Sequence, residues 1–284
     1  MNNVRRLNRS KGGTIALLVV IVVIGFFCAF PLVLIIGNSL KNLSELWKFP
    51  PTVFPKNPTF KNFKDMFQAM SGSVVPFSRY FVNTVLITVF GTIGNVVFGS
   101  MAAYALCKLR FPGRRQIFSL IVKALMFNAT VTAIPSYIIM SNLGIVDSLW
   151  AIILPTLGST LSLYLIKQFM EQSIPDSLME SARLDGASEW QVFWKIIMPN
   201  IKPAWSTAIL LSVQSLWNSS PNMLIYSEEK KTLAYVLAQV SASGLSRAGV
   251  TAAITVLMMS VPIVIFIISQ NQVLQTMAAS GMKE

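Results

Sequence analysis

The chain of 284 residues contains no histidine and only two cysteines. The lack of histidine excludes a Ser-His-Asp triad, imidazole acid–base chemistry and histidine metal sites. Cys28 and Cys107 lie in or beside separate apolar runs, so they form neither a disulfide framework nor a CxxC metal pair. We predict that both cysteines are packing residues.

Charge is also scarce, and most of it has one sign. Charged residues make up 12% of the chain against 54% for hydrophobic residues, and the mean hydropathy is +0.61. This composition excludes a water-soluble globular domain. The net charge of +12, in so apolar a chain, indicates anchoring to an anionic membrane surface rather than binding to nucleic acid.

The apolar residues are gathered into six runs of about 20 residues, the length that spans a bilayer as a helix. The runs are approximately 14–37, 81–106, 117–140, 149–166, 204–224 and 249–268. Segments without two-residue alternation satisfy their backbone groups in lipid only as helices. We therefore predict an all-α, multi-pass membrane protein with six transmembrane helices.

Basic residues set the expected orientation of these helices. The first apolar run follows a basic segment but is too long for a signal peptide and is not closed by an A-x-A site, so we predict an uncleaved first helix. The short basic clusters of the later loops lie on the same side as this segment. The positive-inside rule then places both termini in the cytoplasm.

One inner loop has the pattern of two short helices joined by a glycine. Pro175 ends the preceding helix, and the segments Ser177-x-x-Glu180 and Ser188-x-x-Gln191 match capping boxes on either side of Gly186. The loop is amphipathic but too short and too charged to span the membrane. It either packs on its own helical bundle or docks on another protein.

The spacing of this loop is a motif. Five of its residues reproduce the pattern E-A-A, three residues, G, nine residues, I-x-L-P: Glu180, Ala182, Gly186, Ile196 and Pro199. Ser181 and Met198 depart from the pattern but are close in size to the expected residues. The chain resembles the permeases of ABC importers, and is similar to the second, six-helix subunit of maltose-type carbohydrate importers.

The resemblance implies an ABC type I importer fold and a division of the chain. The parts are a cytoplasmic N-terminus (1–13), a first helix with an extracellular Pro/Lys-rich loop (14–80), a permease domain (81–270) with its coupling loop at about 171–202, and a cytoplasmic tail (271–284). It also implies a bacterial cell membrane as the location. The tail QVLQTMAASGMKE is similar to permeases for pectin-derived oligosaccharides.

The resemblance further implies that the inner loop couples to a cytoplasmic ATPase. The coupling residues would be Glu180, Ser181, Ala182, Asp185, Gly186, Ala187, Ile196 and Pro199. The chain has no G-x-x-x-x-G-K-[ST] loop, so ATP and Mg would be used by separate subunits, and this chain would be a non-catalytic subunit with no cofactor or metal of its own. The implied partners are a related second permease, two ATPase subunits, an extracellular sugar-binding protein and the sugar itself.

A polar stripe marks the fifth apolar run as a candidate cargo pathway. Gln214, Asn218 and Asn222 recur every four residues, and Trp217 offers a ring for a sugar face. The alternative is interhelical packing through the same side chains.

The third run carries a second polar pair, Asn128 and Thr132, close to Pro135. We expect a helix break at Pro135 and favour a packing role for this pair over a pathway role.

Two other classes of membrane protein remain to be weighed. A secondary transporter or channel is expected to have intramembrane charges or inverted repeats, and an intramembrane enzyme needs paired carboxylates, histidine or a metal cluster. The apolar runs contain no acidic residue and the chain has no visible repeat. The importer permease is therefore the leading hypothesis, with a secondary transporter or channel as the alternative.

Overall fold

The computed structural model of the protein describes residues 11–68, 75–220 and 223–281, and the regular structure in these ranges is helical. The α-helices are α1 (Lys11–Ser39), α2 (Leu43–Leu46), α3 (Lys61–Gln68), α4 (Phe77–Lys108), α5 (Arg114–Ala124), α6 (Ala129–Asn142), α7 (Trp150–Leu157), α8 (Thr160–Ser173), α9 (Asp176–Leu184), α10 (Glu189–Gln191), α11 (Met198–Asn200), α12 (Lys202–Trp217), α13 (Leu233–Ala242) and α14 (Ala248–Gly281). A π-helical stretch covers Val192–Ile197, and 3₁₀ turns cover Glu228–Lys230 and Gly244–Arg247. The all-α prediction is confirmed.

Four helical segments in the described part of the chain are long and apolar enough to cross a membrane. They are Gly12–Ser39, Phe77–Lys108, Trp150–Ser173 and Ala248–Leu274. Each coincides with one of the predicted apolar runs. The third of them contains α7 and α8, which meet at Gly158 and Ser159.

The other two predicted spans differ from the structure. The single helix expected over 117–140 is divided into α5 and α6, and the break lies at 125–128 rather than at Pro135, which sits inside α6. The reason is a local cap: the Asn128 side chain accepts a hydrogen bond from the Thr130 backbone N–H at 2.9 Å and so starts a new helix. The fifth run also ends as a helix at Trp217, short of the predicted residue 224.

The chain forms two compact units. The first contains the described residues up to 68 together with 240–257. In this unit the Asn62 Nδ2 donates to the carbonyl oxygen of Ser39, the last residue of α1, at 2.8 Å and to that of Lys41 at 2.7 Å. These bonds satisfy backbone acceptors that a helix end leaves unpaired, and they connect α3 to the end of α1.

The second unit contains the described residues of 70–239 and 258–284. Its centre is α4, which packs against α7, α8 and α12. The helices approach closely because α4 has small residues at the contact: a Cβ atom at Gly91 would lie 2.6 Å from the Leu216 Cδ1. Close packing through glycine is a common solution in membrane helices, where tight van der Waals contact replaces the hydrophobic effect between helices.

An acidic residue organises the loop between α6 and α7. Asp147 has a positive φ of 60°, and its Oδ1 accepts hydrogen bonds from the backbone N–H groups of Tyr226 at 3.0 Å and Ser227 at 2.9 Å. Its Oδ2 accepts from the Ser227 hydroxyl at 2.5 Å and from the Lys230 Nζ at 3.2 Å. These bonds, first those from Ser227, hold the pKa of Asp147 well below its usual range. The carboxylate therefore joins two loops that are about 80 residues apart.

Candidate coupling site

The inner loop folds as two short helical segments around Gly186. α9 ends at Leu184, Gly186 has a φ of +80°, and α10 then runs into the π-helical stretch. Glycine suits this position because a left-handed backbone conformation is costly for residues with a Cβ. The predicted glycine joint is thus present.

The two predicted capping boxes have different outcomes. Ser188 is the N-cap of α10, its side chain accepts from the Gln191 N–H at 3.3 Å, and the Gln191 Oε1 accepts from the Ser188 N–H at 2.9 Å, so this box is confirmed. The box predicted at Ser177 is wrong. α9 begins earlier, with Pro175 at the N-cap, and Ser177 lies inside the helix.

One face of the loop is buried in the core of the second unit. Met179 and Ala182 of α9 and Val192 and Phe193 of the π-helical stretch share a cluster with Tyr104 of α4, whose ring centroid is 5.7 Å from that of Phe193. Burial of this apolar face stabilises the loop against the bundle at roughly 25 cal/mol per Å². The loop is consequently attached to α4 rather than free at the membrane surface.

A three-residue polar bridge reinforces this attachment. The Tyr104 hydroxyl donates to the Glu189 Oε2, and the Arg183 Nε donates to the Glu189 Oε1 at 2.8 Å. The hydrogen bond from Arg183, and then that from Tyr104, lower the pKa of Glu189, while Glu189 raises the pKa of Arg183. Glu189 is ionised at neutral pH and connects α4, α9 and α10 through one carboxylate.

A second tie fixes the start of α9. The Lys108 Nζ donates to the Asp176 Oδ1 at 2.7 Å and to the Ile174 carbonyl oxygen at 2.6 Å. Hydrogen bonding from Lys108 lowers the pKa of Asp176. The Lys108 side chain is 6% exposed and that of Asp176 is 80% exposed, so the buried partner anchors the loop from the α4 side.

The opposite face of the loop is open. Glu180, Ser181, Asp185 and Gly186 are exposed, whereas Ala187 is half-buried and Ala182 is buried. Further along, Ile196 is half-buried and Pro199 is exposed. The predicted coupling residues therefore divide between an inner face that packs on the bundle and an outer face available to another protein.

Two large apolar residues lie on the open face, and the sequence reasoning missed the first of them. Leu184, next to the glycine joint, is 89% exposed, and Trp190 is 59% exposed. The sequence did contain a signal for this residue, because Leu184 is flanked by the charged residues Arg183 and Asp185 and lies off the face of α9 that carries the buried Met179 and Ala182. Large exposed apolar side chains rimmed by charged residues are typical of protein–protein contact sites.

A polar cavity of about 650 Å³ adjoins this face, between the end of α4 and α9. Its lining includes Lys108, Asp176, Glu180 and Arg183. Within this cavity Lys108 pairs with Asp176, and Arg183 pairs with Glu189 next to it, while Arg110 and Arg114 also contribute to the lining.

The predicted pathway residues are not grouped in one place. Gln214 of α12 and Asn218 at its C-cap are exposed, and the Asn218 Nδ2 donates to the Gln214 carbonyl oxygen at 2.8 Å. Trp217 is 2% exposed, its indole N–H donates to the Met258 carbonyl oxygen at 2.8 Å, and its ring lies edge-on to Phe81. In this structure Trp217 therefore packs between helices.

The remaining pathway predictions concern other segments. Asn128 and Thr132 are exposed residues at the start of α6, where Asn128 acts as the N-cap. Asn222 lies outside the described residues.

Comparison with known proteins identifies the family. Residues 95–278 match the family model described as "Binding-protein-dependent transport system inner membrane component". Protein LplC of Bacillus subtilis (strain 168) is 34% identical over 220 residues, which cover 77% of this chain and 72% of LplC. The polygalacturonan/rhamnogalacturonan transport system permease protein YtcP of the same organism is 30% identical over 199 residues, covering 70% of this chain and 67% of YtcP.

A solved structure has the same fold. It is the crystal structure of a bacterial ABC transporter involved in the import of the acidic polysaccharide alginate, with a TM-score of 0.78 and 27% identity. The match covers 93% of this chain and 99% of that chain. The region that matches the family model, 95–278, contains the whole inner loop.

Proposed function

The chain belongs to the binding-protein-dependent transport system inner membrane component family, and from this membership we propose that it is one permease half of an ATP-driven carbohydrate importer. The protein is a membrane-embedded ABC importer permease. Its proposed cargo is an oligosaccharide, and the tail sequence QVLQTMAASGMKE favours one derived from pectin. The similarity to YtcP and to the alginate transporter supports this class of cargo.

The observation that carries the proposal is the attachment of the inner loop. Its buried face, the Tyr104–Glu189–Arg183 bridge and the Lys108–Asp176 pair connect it to α4, while Leu184 remains exposed. An element held in this way moves with the helix that anchors it. A partner that displaces the exposed face would therefore shift α4 as a rigid body.

The proposed cycle is alternating access. Closure of two ATPase subunits around ATP and Mg would push the coupling loops of the two permeases together and open the pathway outward, and hydrolysis would return it inward. This chain is a non-catalytic subunit in the proposal. A related second permease, in a heterodimer, and an extracellular sugar-binding protein complete the assembly.

The proposal also includes the membrane arrangement. We place six spans in the bacterial cell membrane with both termini in the cytoplasm, so that the pair α5–α6 and the shorter α12 each count as a span. Helices shorter than the bilayer thickness are accommodated where neighbouring helices cover them. Gln214 of α12 and Asn218 at its C-cap are exposed polar residues and are proposed to line the cargo pathway, together with Asn222.

Crosslinking at the open face of the loop tests the proposal. Leu184→Cys, in a chain with Cys28→Ser and Cys107→Ala, is expected to form a crosslink to an ATPase subunit in intact cells. We choose Leu184 because Ala182 is buried and unavailable to a reagent.

Leu143→Cys is the matched control. It carries the same substitution at a leucine that is 57% exposed and caps the C-terminal end of α6. The proposed arrangement places this end of α6 on the extracellular side, so the variant is expected to trap no ATPase. If the Leu184→Cys variant also traps none, the coupling role is refuted and a secondary transporter or channel becomes the better interpretation.

A further inference from the structure

A lysine lies deep in the span that α5 and α6 form together. Lys123 belongs to the last turn of α5 and is exposed. The start of α5 is tied to the end of α4, because the Arg114 guanidinium donates to the carbonyl oxygens of Leu106 at 2.6 Å and Cys107 at 2.8 Å. The helix rise over the eight positions from Arg115 to Lys123 is about 12 Å. In a hydrocarbon core of about 30 Å, the proposed arrangement therefore places Lys123 near the middle of the bilayer.

The ammonium group of Lys123 has no counter-charge on this chain. Within residues 11–68, 75–220 and 223–281, it forms no hydrogen bond or ion pair with another side chain. A lysine at this depth is unfavourable in lipid, and ionisable residues inside membrane spans face the interior of a bundle or a water-filled cavity. The exposed side of α5 is therefore expected to face something other than lipid.

The break between α5 and α6 points to the same conclusion. In the turn at the break, Met126 and Phe127 are 86% and 64% exposed, and Asn128 is exposed as the N-cap of α6. A helix end leaves backbone groups outside the hydrogen-bond ladder, and lipid cannot satisfy them. Irregular backbone at membrane depth occurs where protein buries it or where it lines a water-filled cavity. Because this chain leaves the turn uncovered, either water or the second permease has to satisfy it.

Water on this side of the span accounts for both features. Snorkelling to the cytoplasmic surface would satisfy the Lys123 ammonium in lipid, but the uncovered turn would stay in lipid. Contact with the second permease would satisfy the turn, but the buried lysine would then need an acidic partner. Water satisfies the turn and the ammonium group together, as in the cargo pathway of a transporter.

A lysine in such a pathway favours an anionic cargo. Pectin-derived oligosaccharides, the class proposed above, carry the carboxylate groups of galacturonate. An ammonium group binds a carboxylate through charge-assisted hydrogen bonds, which are stronger than neutral ones. We propose that Lys123 lines the cargo pathway and binds a carboxylate of an acidic sugar residue of the cargo. This inference rests on the proposed function and on the membrane arrangement given with it.

Thiol labelling tests whether position 123 meets water. Lys123→Cys, in a chain with Cys28→Ser and Cys107→Ala, is placed in the complete importer in lipid nanodiscs, where both faces are accessible. The membrane-impermeant reagent sulfonatoethyl methanethiosulfonate is added with and without ATP, and labelling of this chain is read by mass spectrometry. We expect labelling that trigalacturonate slows. Absence of labelling in both conditions would overturn the proposal, because the side chain would then lie in lipid or against protein.

Two further cysteine variants complete the labelling test. Met126→Cys leaves the lysine in place and probes the turn itself, so it is informative even if Lys123→Cys fails to assemble. It is expected to be labelled, and an unlabelled Met126→Cys would also overturn the proposal. Ile267→Cys is the matched control, since Ile267 is 57% exposed on the apolar helix α14. It is expected to stay unlabelled.

Import into proteoliposomes tests the charge. At a trigalacturonate concentration below KM, Lys123→Cys is expected to import about tenfold more slowly than the wild type, as for the loss of one hydrogen bond to a charged group. Treatment with aminoethyl methanethiosulfonate before reconstitution restores an ammonium group, and import is expected to recover to within about threefold of the wild type. The sulfonatoethyl reagent adds a negative charge and is expected to give no recovery. A chain with only Cys28→Ser and Cys107→Ala is the control, and neither reagent should change its import.

The outcomes separate this inference from the function on which it rests. A wild-type complex that imports none of trigalacturonate, raffinose and arabinotriose refutes the proposed function. Import of a neutral sugar without trigalacturonate leaves the importer function in place and overturns the acidic cargo. Equal trigalacturonate import by the wild type and Lys123→Cys, or equal recovery with the two reagents, overturns the role of Lys123 alone.

Discussion

Replacing Tyr104 by phenylalanine tests how the inner loop transmits movement. The change removes the hydroxyl that donates to Glu189 and keeps the ring that packs on Phe193. A hydrogen bond to a charged acceptor contributes about 1.5–3 kcal/mol. The Glu189 side chain is 49% exposed and retains Arg183, so water replaces part of the loss and we expect the lower end, about 1.5 kcal/mol, or a factor of about ten.

The assay is the number of sugar molecules imported per ATP hydrolysed by the importer in proteoliposomes. If the hydroxyl holds α10 against α4, its loss lowers the fraction of attached loops, and the ratio falls by up to tenfold while ATP hydrolysis continues. Tyr164→Phe is the matched control, because its hydroxyl accepts only from the Gln168 Nε2 at 3.2 Å among the bonds described, within one helix. We expect no change in its ratio.

A double mutant sharpens the interpretation. In a Glu189→Gln background the bond partner is already altered, so adding Tyr104→Phe is expected to lower the ratio little further. A Tyr104→Phe complex with the wild-type ratio and an unchanged melting temperature would refute the role of the bridge.

Two more outcomes follow from backbone geometry and from charge. Gly186→Ala places a Cβ on a backbone with φ +80°, so it is expected to cost about 1–2 kcal/mol of loop stability and to reduce import. The control is Gly158→Ala, at φ −96°, which is expected to leave import near normal. Equal import by the two variants would contradict the role of Gly186 as a joint. The lowered pKa of Asp147 predicts that its contribution to stability is present above its unfolded pKa of about 3.9 and is lost as pH falls through the lower folded value. Thermal melting between pH 7 and pH 2 should therefore show an acid-dependent loss in the wild type that is smaller in Asp147→Asn, and identical slopes would count against the loop tie.

Some features of the fold could be predicted because their signals are local. The helix caps at Ser188 and the glycine joint at Gly186 depend on residues within four positions of each other, and the apolar runs are visible directly. The same reasoning failed at Ser177 and at Pro135. A serine followed three positions later by glutamate, as in Ser177 and Glu180, is compatible with a helix interior as well as with a cap. A proline such as Pro135 does not decide where a helix breaks when an asparagine cap lies nearby, as Asn128 does here.

The candidate site was predictable in position but not in detail. Spacing placed the coupling residues in one loop, yet it did not separate the buried Ala182 from the exposed Leu184. That separation depends on which side of α9 meets α4. A nine-residue helix with charged residues on several sides leaves this rotation open until its packing partner is known.

The amino-acid sequence by itself determined that this protein is helical, lies in a membrane and carries a jointed inner loop, because hydropathy, caps and glycine conformations act over a few residues. Only the tertiary structure decided that Glu189 bridges α4 and α9, that Trp217 packs inside the bundle and that the Asn95 amide donates to the hydroxyls of Ser162 and Ser212. Asn95 lies 67 positions from Ser162 and 117 positions from Ser212, and Tyr104 lies 85 positions from Glu189. Pairings over such separations leave no periodic pattern in the chain, since they are selected by how whole helices fit together.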